Sequence, residues 1–198
     1  MNRTWLGHST FLIANDAGKR LVTDPVDEKS LPTLRHVTAD VITVSHRHFD
    51  HCAVERIGGT PVVKESTEPE TVAGFSIRGF SVFHDEVKGA KRGPNTIFLI
   101  EADGERYVHC GDLGHMPDDE TIEAIKGCDV LMIPVGGIFT VDGKGAWEIA
   151  KRVAPKTVVP MHFAMPDLGF RLEPVGNFLA AAEADPAPIA IKVPVRDN

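Results

Sequence analysis

Apolar positions recur along the chain in short blocks, and the period of each block predicts an element. Residues 4–14 mix apolar and small side chains, and Asn15-Asp16-Ala17-Gly18 supplies turn chemistry before residues 19–24, the pattern of a β-hairpin. Asp24-Pro25 ends the second strand, because proline cannot continue a ladder. Residues 26–40 form a polar connection with a helical turn near 31–36, and His36 reads as a surface residue. Val41-Ile42-Thr43-Val44 is a β-branched apolar run that predicts a short buried strand. Residues 53–57 predict one or two helical turns closed by Gly58-Gly59, and residues 60–63 return as a strand. From 71 to 110 the period is two: Val72, Phe75, Ile77, Phe80 and Val82, then Ile97 and Leu99, with Asp103-Gly104 as a hairpin turn. Residues 118–127 predict a short helix, acidic at its start and ended by glycine. Runs 129–135 and 157–161 predict buried strands, 146–153 and 174–184 helices, and 189–193 an edge strand. Strands first, then alternating helices and strands, fit an α/β (α+β) chain with two sheets between helices, a four-layer αββα sandwich in one domain over 1–198.

Composition narrows the class. The chain has 198 residues, 42% apolar and 25% charged, enough for one domain with a sizeable core. A net charge of −7, with no lysine- or arginine-rich run, disfavours nucleic acid as a partner. Cys52, Cys110 and Cys128 form no C-x-x-C pair and no even framework, which suggests a reducing compartment. No leader pattern and no long apolar run is evident, so a cytoplasmic location without a membrane span is expected.

The chemistry concentrates in Val44-Ser45-His46-Arg47-His48-Phe49-Asp50-His51, directly after the apolar run. A loop leaving the carboxyl end of a strand is where α/β folds place ligands. Imidazole and carboxylate donors suit zinc, iron, nickel or manganese, and several in one turn cost little chain entropy to gather. His46 and His48, two apart, can point to one side, while Asp50 and His51 can reach a second point, as two neighbouring metals roughly 3.5–4 Å apart would require. Other strands end in the same manner. His84 closes one, Asp112 follows a glycine turn after another, and His162 closes a third. His109 competes with His84 but ranks lower, because an odd offset from Asp112 puts the two on opposite faces of a strand. Asp24 either orients a ligand histidine or caps the next turn. Cys110 reads as a small buried hydrophobe. Serine-hydrolase and phosphate-loop motifs are absent.

His46-x-His48-x-Asp50-His51 resembles the signature of the metallo-β-lactamase superfamily. Trp5-Leu6-Gly7-His8-Ser9-Thr10, Thr23-Asp24-Pro25, His84, Gly111-Asp112-Leu113-Gly114-His115 and Pro160-Met161-His162-Phe163 resemble its small metal-dependent hydrolase branch, related to the L-ascorbate-6-phosphate lactonases. The resemblance implies the metallo-β-lactamase fold, with His46, His48 and His84 on one metal, Asp50, His51 and His162 on the other, and Asp112 bridging. It implies two divalent ions, zinc first with manganese, iron or nickel as substitutes, and an activated hydroxide attacking a small ester, lactone or phosphoester. It gives catalytic duty to Asp50 beside its ligand role, and to His8 and His115 as substrate-facing or proton-donating groups. The chain departs from the pattern at Cys52-Ala53, where the superfamily often has a small residue and then glycine.

The expected partner is a small molecule, and the basic loop at 87–95 allows an anionic one. Self-association into a homo-oligomer is left open. The competing readings are a phosphodiesterase or nuclease, against which the negative charge speaks, and a metal- or ligand-binding protein without turnover.

Overall fold

Residues 2–196 are described by a computed structural model, in which the period-two blocks become two sheets. The first has strand order β1 (Asn2–Gly7), β2 (Thr10–Ala14), β3 (Arg20–Thr23), β4 (Val41–Thr43) and β5 (Val62–Lys64). The second contains β6 (Glu70–Val72), β7 (Phe75–Phe83), β8 (Pro94–Ala102), β9 (Glu105–His109), β10 (Val130–Pro134), β11 (Thr157–Met161) and β12 (Ala190–Ile191), ordered β12-β11-β10-β9-β8-β7-β6. Pairing is antiparallel from β6 to β9 and parallel from β9 to β12. Among the described residues, three α-helices complete the fold: α1 (Asp119–Ile125), α2 (Gly143–Val153) and α3 (Gly176–Ala184).

Alternation along the strands sorts side chains between two cores. Phe11, Ile13, Leu21 and Val41 join Ile77, Phe98, Ile100 and Met132 in the larger cluster. Their neighbours Val22 and Ile42 point the other way, into a smaller cluster with Leu6, Val37, Val44 and Ile57. Both faces of β4 are therefore covered, which is why its sequence is apolar throughout. On the second sheet α2 buries Ala146, Trp147, Ile149, Ala150 and Val153, an amphipathic stripe at helical spacing. Trp147 packs edge-on against Phe178 of α3, with ring centroids 5.9 Å apart.

Local expectations are adjusted in three places. The 4–14 stretch is two strands rather than one, broken at the turn after Gly7, where φ is +124°. The helical turns expected at 53–57 shorten to a single 3-10 turn, Val54–Arg56, and the 26–40 connection carries turns but no helix. The terminal strand is two residues long. No helix among the described residues is long and apolar enough to cross a membrane.

Candidate metal centre

Topology brings the polar strand ends together. Strands β3 and β4 run parallel with Thr23 opposite Thr43, so Asp24 and Ser45 emerge side by side. Strands β9, β10 and β11 are also parallel, so the segments holding Asp112 and His162 leave the second sheet at the same edge. His84 follows β7 and faces them.

Asp112 is the centre of the assembly. Its carboxylate lies 3.0 Å from His84 Nε2, 3.1 Å from His51 Nε2, 3.2 Å from His162 Nε2 and 3.8 Å from His46 Nε2. Asn95 holds the Asp112 turn, accepting from the Asp112 amide and donating to the Cys110 carbonyl. Gly111 makes that turn feasible: its φ is +53°, and a Cβ there would lie 2.3 Å from Asn95 Oδ1.

Among the described residues the donor atoms form three groupings, each compact enough for one cation: His46, His48 and His84; His8, Asp50, His51 and His162; and Asp24, His46 and His51. His48 stands exposed at the mouth while the other members are buried. Asp24 differs from the rest, because its oxygens are already used. It accepts from the Ser45 amide, from the Ser45 hydroxyl and from His51 Nδ1 at 2.8 Å. With its own proton given to Asp24, the Ser45 hydroxyl accepts from His46 Nδ1 at 3.0 Å. Both imidazoles are thereby held with the proton on Nδ1 and the Nε2 lone pair turned inward, the form a metal ligand needs. Of the two readings open for Asp24, the geometry favours the orienting one.

The donor set fits cations. Among the described residues, ten buried side-chain polar atoms lack a hydrogen-bond partner, and seven of them belong to His8, His46, His51, His84, Asp112 and His162. Buried polar atoms left unpaired cost roughly 1–3 kcal/mol each, so a concentration of them marks where a ligand atom belongs. Electrostatics agree. Burial opposes a charge on His51, yet the carboxylates of Asp112 and Asp50 overcome it and hold its pKa well above the ordinary value. Burial likewise resists ionising Asp112, but His162 and His51 draw its pKa well down. A buried set of carboxylates that recruits positive charge is the environment of a metal site. Burial pushes His46 down to about 3 and His8, also disfavoured by His162, down to about 4, so both stay neutral, as ligands must.

His8 reaches this centre. It occupies a left-handed backbone position, φ +52°, and places Nε2 3.1 Å from Asp50 Oδ2. Its turn is tied down from several sides: Trp5 Nε1 donates to the His8 carbonyl, and Thr23 Oγ1 and His109 Nε2 both donate to that of Ser9. Asp24 and His162 also have positive φ, +36° and +51°. Non-glycine residues held in this region concentrate at functional sites.

One expected residue falls elsewhere. His115 belongs to none of the groupings: its Nε2 accepts from the Phe83 amide and its Nδ1 donates to the Met116 carbonyl, so neither nitrogen is free for acid catalysis. His109 donates to Ser9 and accepts from the Gly111 amide, serving the main chain on both sides. Phe163 is buried against Trp5, with centroids 5.4 Å apart, and Phe170 lies over His8, 5.5 Å away. Ser45, Asn95 and Phe170 carried no motif signal.

Two stacked sheets whose strand ends deliver a buried cluster of histidines and aspartates mark a metal-binding protein of the α/β class. The family described as the beta-lactamase superfamily domain matches residues 3–162. A metal-dependent hydrolase of the UPF0173 family from Methanoculleus marisnigri is 32% identical, the match covering 82% of this chain and 81% of that protein. One from Carboxydothermus hydrogenoformans is 30% identical, covering 82% and 84%. A crystal structure of a metallo-β-lactamase superfamily protein from Thermotoga maritima superposes with a TM-score of 0.75 at 38% identity, covering 90% and 84%. The chain belongs to the metallo-β-lactamase superfamily and, within it, to the UPF0173 metal-dependent hydrolases.

Proposed function

We propose that the protein hydrolyses a small ester, lactone or phosphoester with two divalent cations. The observation that carries this reading is the convergence of four imidazole Nε2 atoms on the single Asp112 carboxylate, between 3.0 and 3.8 Å. His46, His48 and His84 would hold one cation, Asp50, His51 and His162 the other, with Asp112 shared. Zinc is the first choice for such nitrogen and oxygen donors, and manganese, iron and nickel suit them too. When bound, the cations supply Lewis acidity and bring the pKa of a water near neutrality. Asp50, oriented by His8, is the carboxylate placed to accept the proton that a water gives up on attack. Asp24 and Ser45 keep the His46 and His51 lone pairs facing inward through the cycle. Kinship with the L-ascorbate-6-phosphate lactonases rests on the sequence landmarks and belongs to the same proposal, as does a cytoplasmic site of action.

Metal analysis of chelator-free protein, coupled to an ester, lactone and phosphoester panel, tests this. About two equivalents per chain, with turnover lost in His48→Ala and Asp112→Ala, is the expected result. Wild-type turnover in metal-loaded Asp112→Ala would refute it. Metal binding without turnover on any panel member would leave a binding protein instead.

A further inference from the structure

Beside the cluster lies a cleft of about 320 Å³, bounded on one side by His48, Asp50, His84 and Asp112. Its other wall is aromatic. Phe49, Phe139 and Phe170 arrive from three separate loops, and the Phe170 ring stands 6.4 Å from Phe49 and 6.2 Å from Phe139, edge-on to both. Phe49 is 63% and Phe139 38% exposed. Single exposed apolar residues need no explanation, but three joined phenylalanines on the rim of a cleft mark a ligand surface.

One cation faces the same cleft. The Arg92 guanidinium lies over the Phe139 ring, 5.6 Å from its centroid, and donates at 3.3 Å to the Ile138 carbonyl. Arg47, on the neighbouring surface, is paired with Glu65 at 2.7 Å. Arg92 has no carboxylate partner among the described residues, and its remaining N–H groups suit an oxyanion. The loop that presents it is fixed: both oxygens of Asp85 accept main-chain N–H groups, from Val87 and Gly89 on one side and from Lys91 and Arg92 on the other.

We infer that the substrate is an amphipathic anion: an aryl or short acyl body seated on Phe49, Phe139 and Phe170, with an oxyanion head on Arg92, its scissile bond toward Asp112. The volume lies at the small end of the roughly 300–1,000 Å³ range of ligand pockets, which fits one ring or a short chain rather than a polymer. This rests on the hydrolytic reading for which bond is broken, but the binding pattern stands independently of turnover.

Calorimetric titration with 4-phenylbutyrate, 4-phenylbutanamide and acetate separates body from head. Phenylbutyrate should bind at least about tenfold tighter than either comparison ligand. Arg92→Gln should reduce it to the level of the amide, and Phe170→Ala should remove most of its advantage over acetate, in variants whose melting and metal content are normal. Equal wild-type binding of phenylbutyrate and acetate, a comparison that needs no variant, overturns the inference. So does a preference for the carboxylate that survives Arg92→Gln and disappears when metal is stripped, because the head then sits on the cations. Selective binding without hydrolysis of any ester, lactone or phosphoester would refute the hydrolytic reading and keep the pocket. Hydrolysis indifferent to body and charge would do the reverse.

Discussion

Asp24 and His51 form a fully buried pair, with Oδ2 2.8 Å from Nδ1, and the same carboxylate oxygen accepts from the Ser45 hydroxyl that steadies His46. One side chain outside the proposed ligand set therefore orients an imidazole of each proposed cation. Asp24→Asn keeps a residue type that tolerates its positive φ but reverses or weakens these bonds. Metal affinity should fall by about 10–100-fold, as is usual when the partner of a ligating histidine is lost. Competition against a chelator of known affinity measures it, and an unchanged constant would remove Asp24 from the site.

His115 should matter little to turnover. Its ring bridges the Phe83 amide and the Met116 carbonyl, so His115→Ala breaks two hydrogen bonds to the main chain and touches no proposed ligand. A loss of about 1–3 kcal/mol of stability is expected, with metal content retained and kcat/KM within about threefold of wild type. A hundredfold drop in kcat with intact metal would restore the acid role that its place in the sequence suggested.

How far the sequence was legible follows from what each residue's role depends on. The period of Phe75 and Ile77, or of Phe11 and Ile13, is local, and it predicts strands because side-chain alternation is a property of the strand itself. The cluster at 46–51 was readable for the same reason, its donors being neighbours in the chain. Ser45 was not, because its importance comes from β3 lying parallel to β4, which sets it beside Asp24, and a serine after a strand otherwise looks like a turn residue. Asn95 was hidden by distance along the chain, reaching 17 residues on to hold Asp112. Phe170 lies in a loop without periodicity, and only the folded path of the segment after β11 brings it over His8. The division of 4–14 into two strands turns on one residue, Gly7, whose φ of +124° other residues rarely adopt.

Gly111 should resist substitution. In Gly111→Ala the new methyl would meet Asn95 Oδ1 at 2.3 Å and Ser45 Oγ at 2.5 Å, at a φ of +53°. Overpacking costs roughly 1–3 kcal/mol and left-handed backbone a further ~1 kcal/mol. Urea unfolding should report that loss, and displacement of the adjacent Asp112 should lower metal content as well. A variant as stable as wild type would mean that the turn yields freely.

The Asp85 loop should carry an acid-side dependence of its own. Burial tends to raise the Asp85 pKa, but the N–H groups of Arg92, Gly89, Val87 and Lys91 outweigh it and bring it from 3.8 to about 2. The folded value is the lower one, so the contribution is complete above about pH 4 and disappears as pH falls through about 2. In metal-free protein, the stability difference between wild type and Asp85→Asn should be constant above that window and narrow within it. A difference that instead grows toward low pH would contradict the assignment.

Removing metal should destabilise the fold itself, because the cluster is buried rather than surface-mounted. With no cation, the Nε2 atoms of His46, His51 and His162 and Oδ1 of Asp112 are enclosed without hydrogen-bond partners. Anything that binds these atoms only in the folded state raises stability by mass action, about 2.7 kcal/mol at one hundred times its dissociation constant. Chelation should therefore lower Tm, and zinc or manganese should restore it in proportion to the logarithm of free metal. Asp112→Ala, lacking the shared carboxylate, should melt at nearly the same temperature with and without chelator. If wild-type Tm also ignores chelation while the metal is demonstrably removed, the enclosed donors are satisfied some other way, and the two-cation assignment would have to be abandoned.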